Sequence, residues 1–281
     1  MTRLILIALL LSSPAFAQVE DGDRFWNTRA EGSQNGRARA EPIDAAIAAY
    51  QRAIAQNPND LEGHWKLLRA LRFKGQYVAS TSEEKKRVYS EAKNAGEKAL
   101  ALLDRLLAAS GLKSVSKATE KQVADVAKTI PGADETFLWD SINWGEWALV
   151  YGKLAAARQG AADRIRREAT IAHLIDPTLE AGTPSRVLGR LHDQTPRIPF
   201  ITGWASSKEA VRFLEESLRI DPGNAITIVF LAEALVSNDS STKPRAIQLL
   251  KSALKPPDPD FVVEQTAAQN DARALLRKWG A

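Results

Sequence analysis

The 281-residue chain contains no cysteine. It can therefore form no disulfide, no Cys-ligated zinc site and no iron–sulfur cluster, and it has no thiol nucleophile. Histidine is also scarce, with only His64, His173 and His192. Three histidines leave little material for a histidine-rich metal site. The sequence therefore predicts neither a metal ion nor a cofactor.

The excess of charge is also small, with 38 basic and 34 acidic residues giving a formal net charge of +4. Nucleic-acid binding needs a concentrated basic face, and the basic runs at 85–87 and 164–167 both have acidic neighbours. We therefore expect solvated helix faces and no nucleic-acid partner. The chain also lacks G-x-S-x-G, H-E-x-x-H and Walker motifs, which favours binding over catalysis.

The first residues have the features of a secretory signal peptide. Arg3 precedes an apolar run over 4–11, and Ala15-Phe16-Ala17 is a small-residue cleavage site. The apolar run is too short to span a membrane, and no cysteine follows it for lipid attachment. We expect a signal peptide over 1–17 that is cleaved, and a periplasmic mature chain without a membrane span. A retained anchor helix is the alternative.

Apolar residues recur at helical spacing along most of the mature chain. Thr81 with Glu84 and Ser206 with Glu209 have the spacing of a capping box, the first opening a charged helix over 82–107. No long stretch alternates with a period of two, as a strand would. The sequence therefore predicts an all-α protein. One stripe of helical spacing is formed by Ile43, Ile47, Tyr50 and Ile54.

Three segments share the spacing of the second helix of a tetratricopeptide repeat (TPR). A bulky residue follows a small one by four positions, another small residue comes three later, and proline follows after about five more. Small residues allow close helix contact, the bulky one fills the groove, and proline ends the helix. We predict a right-handed α-solenoid of TPR-like helix pairs with an elaborated middle segment and a concave binding face. The matches are Ala46-Tyr50-Ala53-Pro58, Ala210-Leu214-Ser217-Pro222 and Ala246-Leu250-Ala253-Pro257.

Composition divides the mature chain into four parts. We expect an N-terminal extension over 18–40, TPR-like helices over 41–107, a connector over 108–133 and further repeats over 134–281. The connector over 108–133 is rich in Ser, Lys, Thr and Gly, and its apolar residues predict one short amphipathic helix. A second connector, over 182–204, is rich in Gly and Pro and is expected to be irregular. Long ordered connectors of this kind tend to be functional.

Several local motifs follow one another between Trp139 and Trp279. They are Asn143-Trp144-Gly145 with Trp147, Arg-Val-Leu-Gly-Arg-Leu-His over 186–192, a Pro-rich connector ending in Gly203-Trp204, and Leu-Ala-Glu-Ala over 231–234. In this order they resemble the T-component of TRAP-type transporters, a family of periplasmic TPR proteins thought to partner a substrate-binding protein. The resemblance implies a protein partner of that kind, a periplasmic solute-binding protein.

Two groups of residues are candidates for ligand or partner binding. Trp144 and Trp147 lie on one predicted helix and could line an apolar groove or a partner contact, although aromatic residues at helical spacing are more often core. Arg186, Arg190 and His192 could clamp an anion or a carboxylate, and their alternative is helix capping at a solvated surface.

Three further residues are placed near this second group. Trp204 would lie close to the pocket, and Asn143 and Glu146 are expected to hydrogen-bond to the segment of Arg186. The predicted function is a non-catalytic periplasmic binding or scaffold protein, an accessory subunit of a TRAP-type uptake system, that binds a protein and a small apolar or anionic ligand. An envelope hydrolase using Arg190, His192 and Asp193 is the alternative, and a homo-oligomeric structural protein is a third possibility.

Overall fold

Helices account for most of the chain that the computed structural model describes, residues 14–199 and 202–281. Residues 1–13 of the predicted signal peptide lie outside this part. Within it there are thirteen α-helices and no β-strand. The first seven are α1 (Pro14–Asn27), α2 (Ala40–Gln56), α3 (Leu61–Phe73), α4 (Ser82–Ala109), α5 (Glu120–Ala127), α6 (Ala133–Tyr151) and α7 (Lys153–Arg158). The others are α8 (Ala161–Ile175), α9 (Leu179–Gln194), α10 (Ser207–Ile220), α11 (Ala225–Asn238), α12 (Lys243–Ser252) and α13 (Val262–Trp279).

Most of these helices pack in pairs: α1 with α2, α3 with α4, α6 with α8, α9 with α10, and α11 with α12. The first helices of the pairs also contact one another in order, from α1 through α3, α6, α9 and α11 to α13. We call these six the inner helices, and α2, α4, α8, α10 and α12 the outer helices. The predicted all-α solenoid of TPR-like helix pairs is confirmed, because each pair packs on the next along the chain.

The residues at the repeat spacing are buried between the paired helices. In α2 the side chains of Ala46, Tyr50 and Ala53 are fully buried. The equivalent residues of α10 and α12 are buried as well, so the pattern marks outer helices. Ala and Ser leave room for the inner partner, and the bulky residue between them fills the groove.

The two predicted capping boxes form to different extents. At the start of α4 the backbone N–H of Glu84 donates to Thr81 Oγ1 and the N–H of Thr81 donates back to Glu84 Oε2, both at 3.1 Å. At the start of α10, Ser206 Oγ accepts from the N–H of Glu209. The Glu209 carboxylate pairs with Arg212 instead of completing the second box, so only half of that prediction holds.

The two connectors also differ from each other. The connector over 108–133 contains the expected short helix, α5. The connector over 182–204 was expected to be irregular, which is wrong for its first half, because α9 runs to Gln194. Its glycine and proline belong to a kink: Glu180, Ala181 and Gly182 have positive φ, and Pro184 follows where a helix start tolerates proline.

The last helix returns to the N-terminal end and closes the solenoid into a ring. Val263 of α13 belongs to the same core as Ile43 and Tyr77. Arg29 pairs with Glu264 at 3.2 Å on α13. We call this contact between residues 29–36 and 260–270 the clasp. The predicted concave face is therefore enclosed by the ring rather than open along one side.

A candidate ligand cavity inside the ring

The inner helices surround a cavity of about 760 Å³. Pockets of roughly 300–1,000 Å³ are typical for drug-sized ligands. Every inner helix contributes to the wall, whereas α2, α10 and α12 contribute no described residue. The cavity is thus the enclosed form of a TPR concave surface. Representative wall residues, one from each inner helix in order, are Trp26, Arg72, Ile142, Arg186, Phe230 and Asp271.

Much of the wall is apolar. Trp139 and Ile142 of α6, Val187 of α9 and Phe230 of α11 are among the apolar residues that line it. These residues are placed there because the inner helices carry a second apolar stripe, in addition to the one that packs on the outer helices. An apolar wall broken by a few charged groups is the usual composition of a small-molecule site.

Two arginines of α3 add charge to this wall. Arg72 donates to the Tyr77 hydroxyl at 3.1 Å and lies 3.5 Å from Glu146. Arg69 stacks on the Trp26 ring, at 4.1 Å from its centroid, and reaches Glu180 only at 4.0 Å. The Nε atoms of both arginines are buried without a hydrogen-bond partner. Buried donors without partners are costly and uncommon, so these two cations are incompletely satisfied by the protein.

Arg186 of α9 is held differently. Its Nη1 donates to Thr227 Oγ1 at 3.1 Å and its Nη2 donates to Thr183 Oγ1, both neutral hydroxyls. No described carboxylate lies within 4.0 Å of its guanidinium. Burial, reinforced by the charge of Arg72, lowers the pKa of Arg186 to about 10. The side chain is still a cation at neutral pH, but it is a poorly stabilised one.

The kink at the start of α9 aims this arginine into the cavity. Glu180 and Ala181 have φ of +46° and +58°, a left-handed conformation that costs non-glycine residues about 1–2 kcal/mol each. Gly182 follows at φ +75°, and a Cβ there would lie 3.0 Å from Ile220 Cδ1. The kink therefore lets α9 approach α10 closely while Thr183 and Arg186 line the cavity. Backbone strain of this kind is concentrated at functional sites.

The structure brings only two of the six predicted site residues to the cavity wall, Arg186 and Arg190. Arg190 pairs with Glu233 at 2.8 Å and with Asp193 at 3.2 Å. His192, predicted to join them, points elsewhere: its Nδ1 accepts from the N–H of Ser206 at 3.2 Å. The predicted three-residue clamp does not form, because His192 follows Arg190 by two positions and so lies on another face of α9.

Trp204 packs against His192, with ring centroids 5.3 Å apart, and its Nε1 donates to Asp163 at 2.9 Å. The Arg166 guanidinium covers the indole, at 4.7 Å from its centroid. These contacts hold the segment around 202–206 against α8 and α9. Neither Trp204 nor His192 lines the cavity. Both side chains therefore have a packing role in this structure.

Trp144 and Trp147 are buried, as the core interpretation favoured. Their rings lie 5.7 Å apart, and Lys93 Nζ lies 4.2 Å from one ring centroid and 4.3 Å from the other. They pack between α4 and α8, on Tyr89 and Ile165. On α6 they therefore face away from the cavity.

Asn143 and Glu146 do not contact the segment of Arg186, so that prediction is wrong. Asn143 Nδ2 donates to the carbonyl oxygens of Leu68 at 3.0 Å and Trp139 at 2.9 Å, which ties α6 to α3. Glu146 pairs with Arg72. Both side chains turn toward α3 because α6 packs directly on that helix.

Sequence reasoning missed Arg69 and Arg72. Both lie at helical spacing from Trp65, which places the three side chains on one face of α3. However, basic residues on an amphipathic helix usually face solvent. They become cavity residues only because the ring closes around the face that carries them. Trp26 and Glu264 were missed for the same reason.

No known family model matches the chain, and no curated protein matches it significantly. Among solved structures the chain is similar to yeast Tom70, with 14% sequence identity over 98% of this chain and 67% of that chain, and a TM-score of 0.30. At that score the likeness does not bear on function, and the repeat assignment rests on the helix packing.

Two further searches of the described residues bear on the site. No cluster of three or more His, Asp or Glu side chains could hold a metal ion there. No described helix combines the length and the apolar character that crossing a bilayer requires.

Proposed function

We propose that the protein is a non-catalytic binding protein that encloses a small ligand within its ring of inner helices. The observation that carries this proposal is the cavity of about 760 Å³, whose apolar wall is interrupted by a few incompletely paired cations. Solenoids of helix pairs present their inner face to ligands or proteins, and the clasp makes that face here the wall of a cavity, partly open to solvent, whose size suits a small molecule.

The finer form of the proposal is an exported accessory subunit of a TRAP-type uptake system that acts with a periplasmic solute-binding protein. It is supported by the signal-peptide pattern over 1–17 and by the motifs over 139–279. N-terminal sequencing of the protein from a periplasmic extract tests the export step, and a mature chain that does not begin at Gln18 contradicts it.

The alternative of an envelope hydrolase finds no support in the geometry. A general base at His192 needs a carboxylate or a Ser hydroxyl within hydrogen-bond reach, yet the partner of its Nδ1 is the backbone N–H of Ser206. Asp193 accepts from Arg190 at 3.2 Å and from Ser237 at 3.3 Å, both away from the imidazole. We therefore favour binding over reaction.

Filling the cavity tests the proposal. Gly145 lies in the wall, and a Cβ there would meet only Ile165 Cδ1, at 4.0 Å. Gly145→Trp should therefore occupy cavity space and weaken binding of the neutral fluorescent probe N-phenyl-1-naphthylamine by at least about tenfold, since losing 1.4 kcal/mol of apolar burial suffices. Fluorescence titration measures the dissociation constant.

The matched control is Ser252→Trp, which adds the same side chain to an exposed position of α12, outside the cavity. It should bind the probe as the wild type does. If the wild type binds no probe, or if both tryptophan variants bind it equally well, the cavity is not a ligand site.

A further inference from the structure

Among the described cations that line the cavity, Arg186 and Lys85 have no carboxylate partner within salt-bridge distance, and Arg186 is the only arginine of the two. Four described arginines line the wall, and three of them lie within 4.0 Å of a carboxylate oxygen. The exception is Arg186, whose hydrogen bonds within the described part of the chain go to the hydroxyls of Thr183 and Thr227. A partly buried cation without a counter-ion is unfavourable unless a ligand supplies one.

The nearest acidic side chains are engaged elsewhere. Glu180 and Asp221 are the carboxylates whose charge acts on Arg186. Glu180 lies 4.0 Å from Arg69, and Asp221 accepts hydrogen bonds from the Asn224 side chain at 3.0 Å and from the N–H of Gly223 at 3.2 Å. Neither is placed to neutralise Arg186 directly.

The guanidinium of Arg186 keeps donors available. Arginine has five N–H groups, and the two described hydrogen bonds use one from each terminal nitrogen. A planar guanidinium with free N–H groups matches the two oxygens of a carboxylate. The free donors and the missing counter-charge thus specify an anionic group at this point of the wall.

Three exposed apolar residues of the cavity wall indicate that the ligand also has an apolar part. Leu149 is 69% exposed, Ile198 45% and Phe261 39%, and all three also line the cavity. Residues that both line the space and face solvent lie at its openings. Large exposed apolar side chains are typical of binding surfaces, so the cavity presents apolar surface where it meets solvent.

We propose that the cavity binds an amphipathic monocarboxylate of the fatty-acid type, with its carboxylate on Arg186 and its alkyl chain along the apolar wall. This inference deepens the proposed function and rests on it. A single uncompensated guanidinium matches one negative charge, whereas a phosphate monoester would bring a second charge close to Asp221 and Glu180.

The test compares ligands that differ only in the head group. Dodecanoate should displace N-phenyl-1-naphthylamine from the wild type with an affinity at least about tenfold higher than dodecanol, the excess expected from a charge-assisted contact. In Arg186→Gln that ratio should fall to about one. Arg212→Gln makes the same substitution at an exposed site on α10, and it should keep the wild-type ratio.

Each other result overturns the inference. Equal affinity of the wild type for dodecanoate and dodecanol, tighter binding of dodecyl phosphate than of dodecanoate, or an unchanged ratio in Arg186→Gln would each show that Arg186 does not bind a carboxylate. In those cases the cavity still binds an apolar ligand, and the proposed function stands. If neither the probe nor any dodecyl compound binds, the proposed function fails as well.

A measurement on the wild type covers the case in which Arg186→Gln does not fold. Dodecanoate labelled with ¹³C at the carboxyl carbon reports its own titration by NMR. A guanidinium contact lowers the pKa of the bound carboxyl below that of the free acid, whereas an apolar environment raises it. A raised pKa for the bound ligand contradicts the inference.

Discussion

Asp140 and Glu168 are two buried carboxylates that pair with the same arginine, Arg164, outside the cavity. Arg164 lies 2.8 Å from Asp140 and 2.9 Å from Glu168, and it also reaches the more exposed Glu97 at 2.6 Å. One oxygen of Asp140 and one of Glu168 are buried without a partner. Burial, followed by the charge of Asp140, raises the pKa of Glu168 well above its ordinary value of 4.5. A single cation does not offset the desolvation of both anions.

We expect this pair to make the folded state less stable as the pH rises. A carboxyl whose pKa is higher in the folded state than in the unfolded chain holds a proton that the unfolded chain releases, so stability falls above pH 4.5. The slope can reach about 1.4 kcal/mol per pH unit for one proton. Glu168→Gln keeps the shape without a titrating proton, so its unfolding free energy should fall less between pH 5 and pH 8 in urea titrations.

The control for this prediction is Glu31→Gln, which removes the same charge from an exposed side chain. It should retain the wild-type pH dependence. If Glu168→Gln shows the same slope as the wild type, the buried pair does not govern stability in this range.

At the scale of the helix, contact between partners depends on the small residues that separate them. Gly189 lies where α9 crosses α10, and a Cβ there would come within 2.6 Å of Leu214 Cγ and 3.0 Å of Ala210 O. Gly145, in α6, has space for a methyl group, with only Ile165 Cδ1 at 4.0 Å. Both glycines lie within helices, but a methyl group would collide with neighbouring atoms at Gly189 and would fit at Gly145.

Alanine at these two positions should therefore have opposite effects. Gly145→Ala should raise the free energy of unfolding by about 0.5–1 kcal/mol, the helix propensity of alanine over glycine. Gly189→Ala gains the same propensity but forces α9 away from α10, an overpacking that costs about 1–3 kcal/mol, so it should be net destabilising. Chemical denaturation measures both. A stabilised Gly189→Ala protein would contradict the close crossing of α9 and α10.

The sequence predicted the outer helices best, since their packing demands small residues at fixed spacing. Ala46, Tyr50 and Ala53 are buried as that spacing implies. The start of α9 was mispredicted because a kink requires the same Gly and Pro that mark a loop. Of the arginines in the cavity wall, Arg186 and Arg190 were among the predicted binding residues and Arg72 was not, since no local pattern tells which face of α3 turns inward.

For the whole molecule, the feature that defines the site is the closure of the ring, which joins residues more than 200 positions apart. Arg29 reaches Glu264 across 235 positions, and Asn270 Nδ2 donates to the carbonyl of Asn35 at 3.0 Å. Such contacts leave no periodic trace in the sequence. Solenoids are stable as sums of neighbouring repeats, so the clasp is not required for the repeats to fold but is required to enclose the cavity.

Gly36 is the closest backbone contact of the clasp. It has φ +75°, and a Cβ there would lie 2.5 Å from the backbone N and 2.7 Å from the Cα of Ala267. Neither backbone atom can move without displacing α13. Gly36→Ala should therefore open the clasp, accelerate amide hydrogen exchange in residues 29–36 and in α13, and weaken binding of N-phenyl-1-naphthylamine, while the helix pairs keep their protection.

The effect of the left-handed backbone must be separated from the effect of the clasp. Gly160→Ala provides that comparison, because Gly160 has φ +64° and a Cβ there would meet nothing within 4 Å. Both variants carry the backbone cost of about 1–2 kcal/mol, but only Gly36→Ala should release α13 from residues 29–36. Equal exchange rates in the two variants would mean that the ring stays closed without this contact. In that event enclosure of the cavity would depend on the apolar packing of Val263 and the Arg29–Glu264 pair instead.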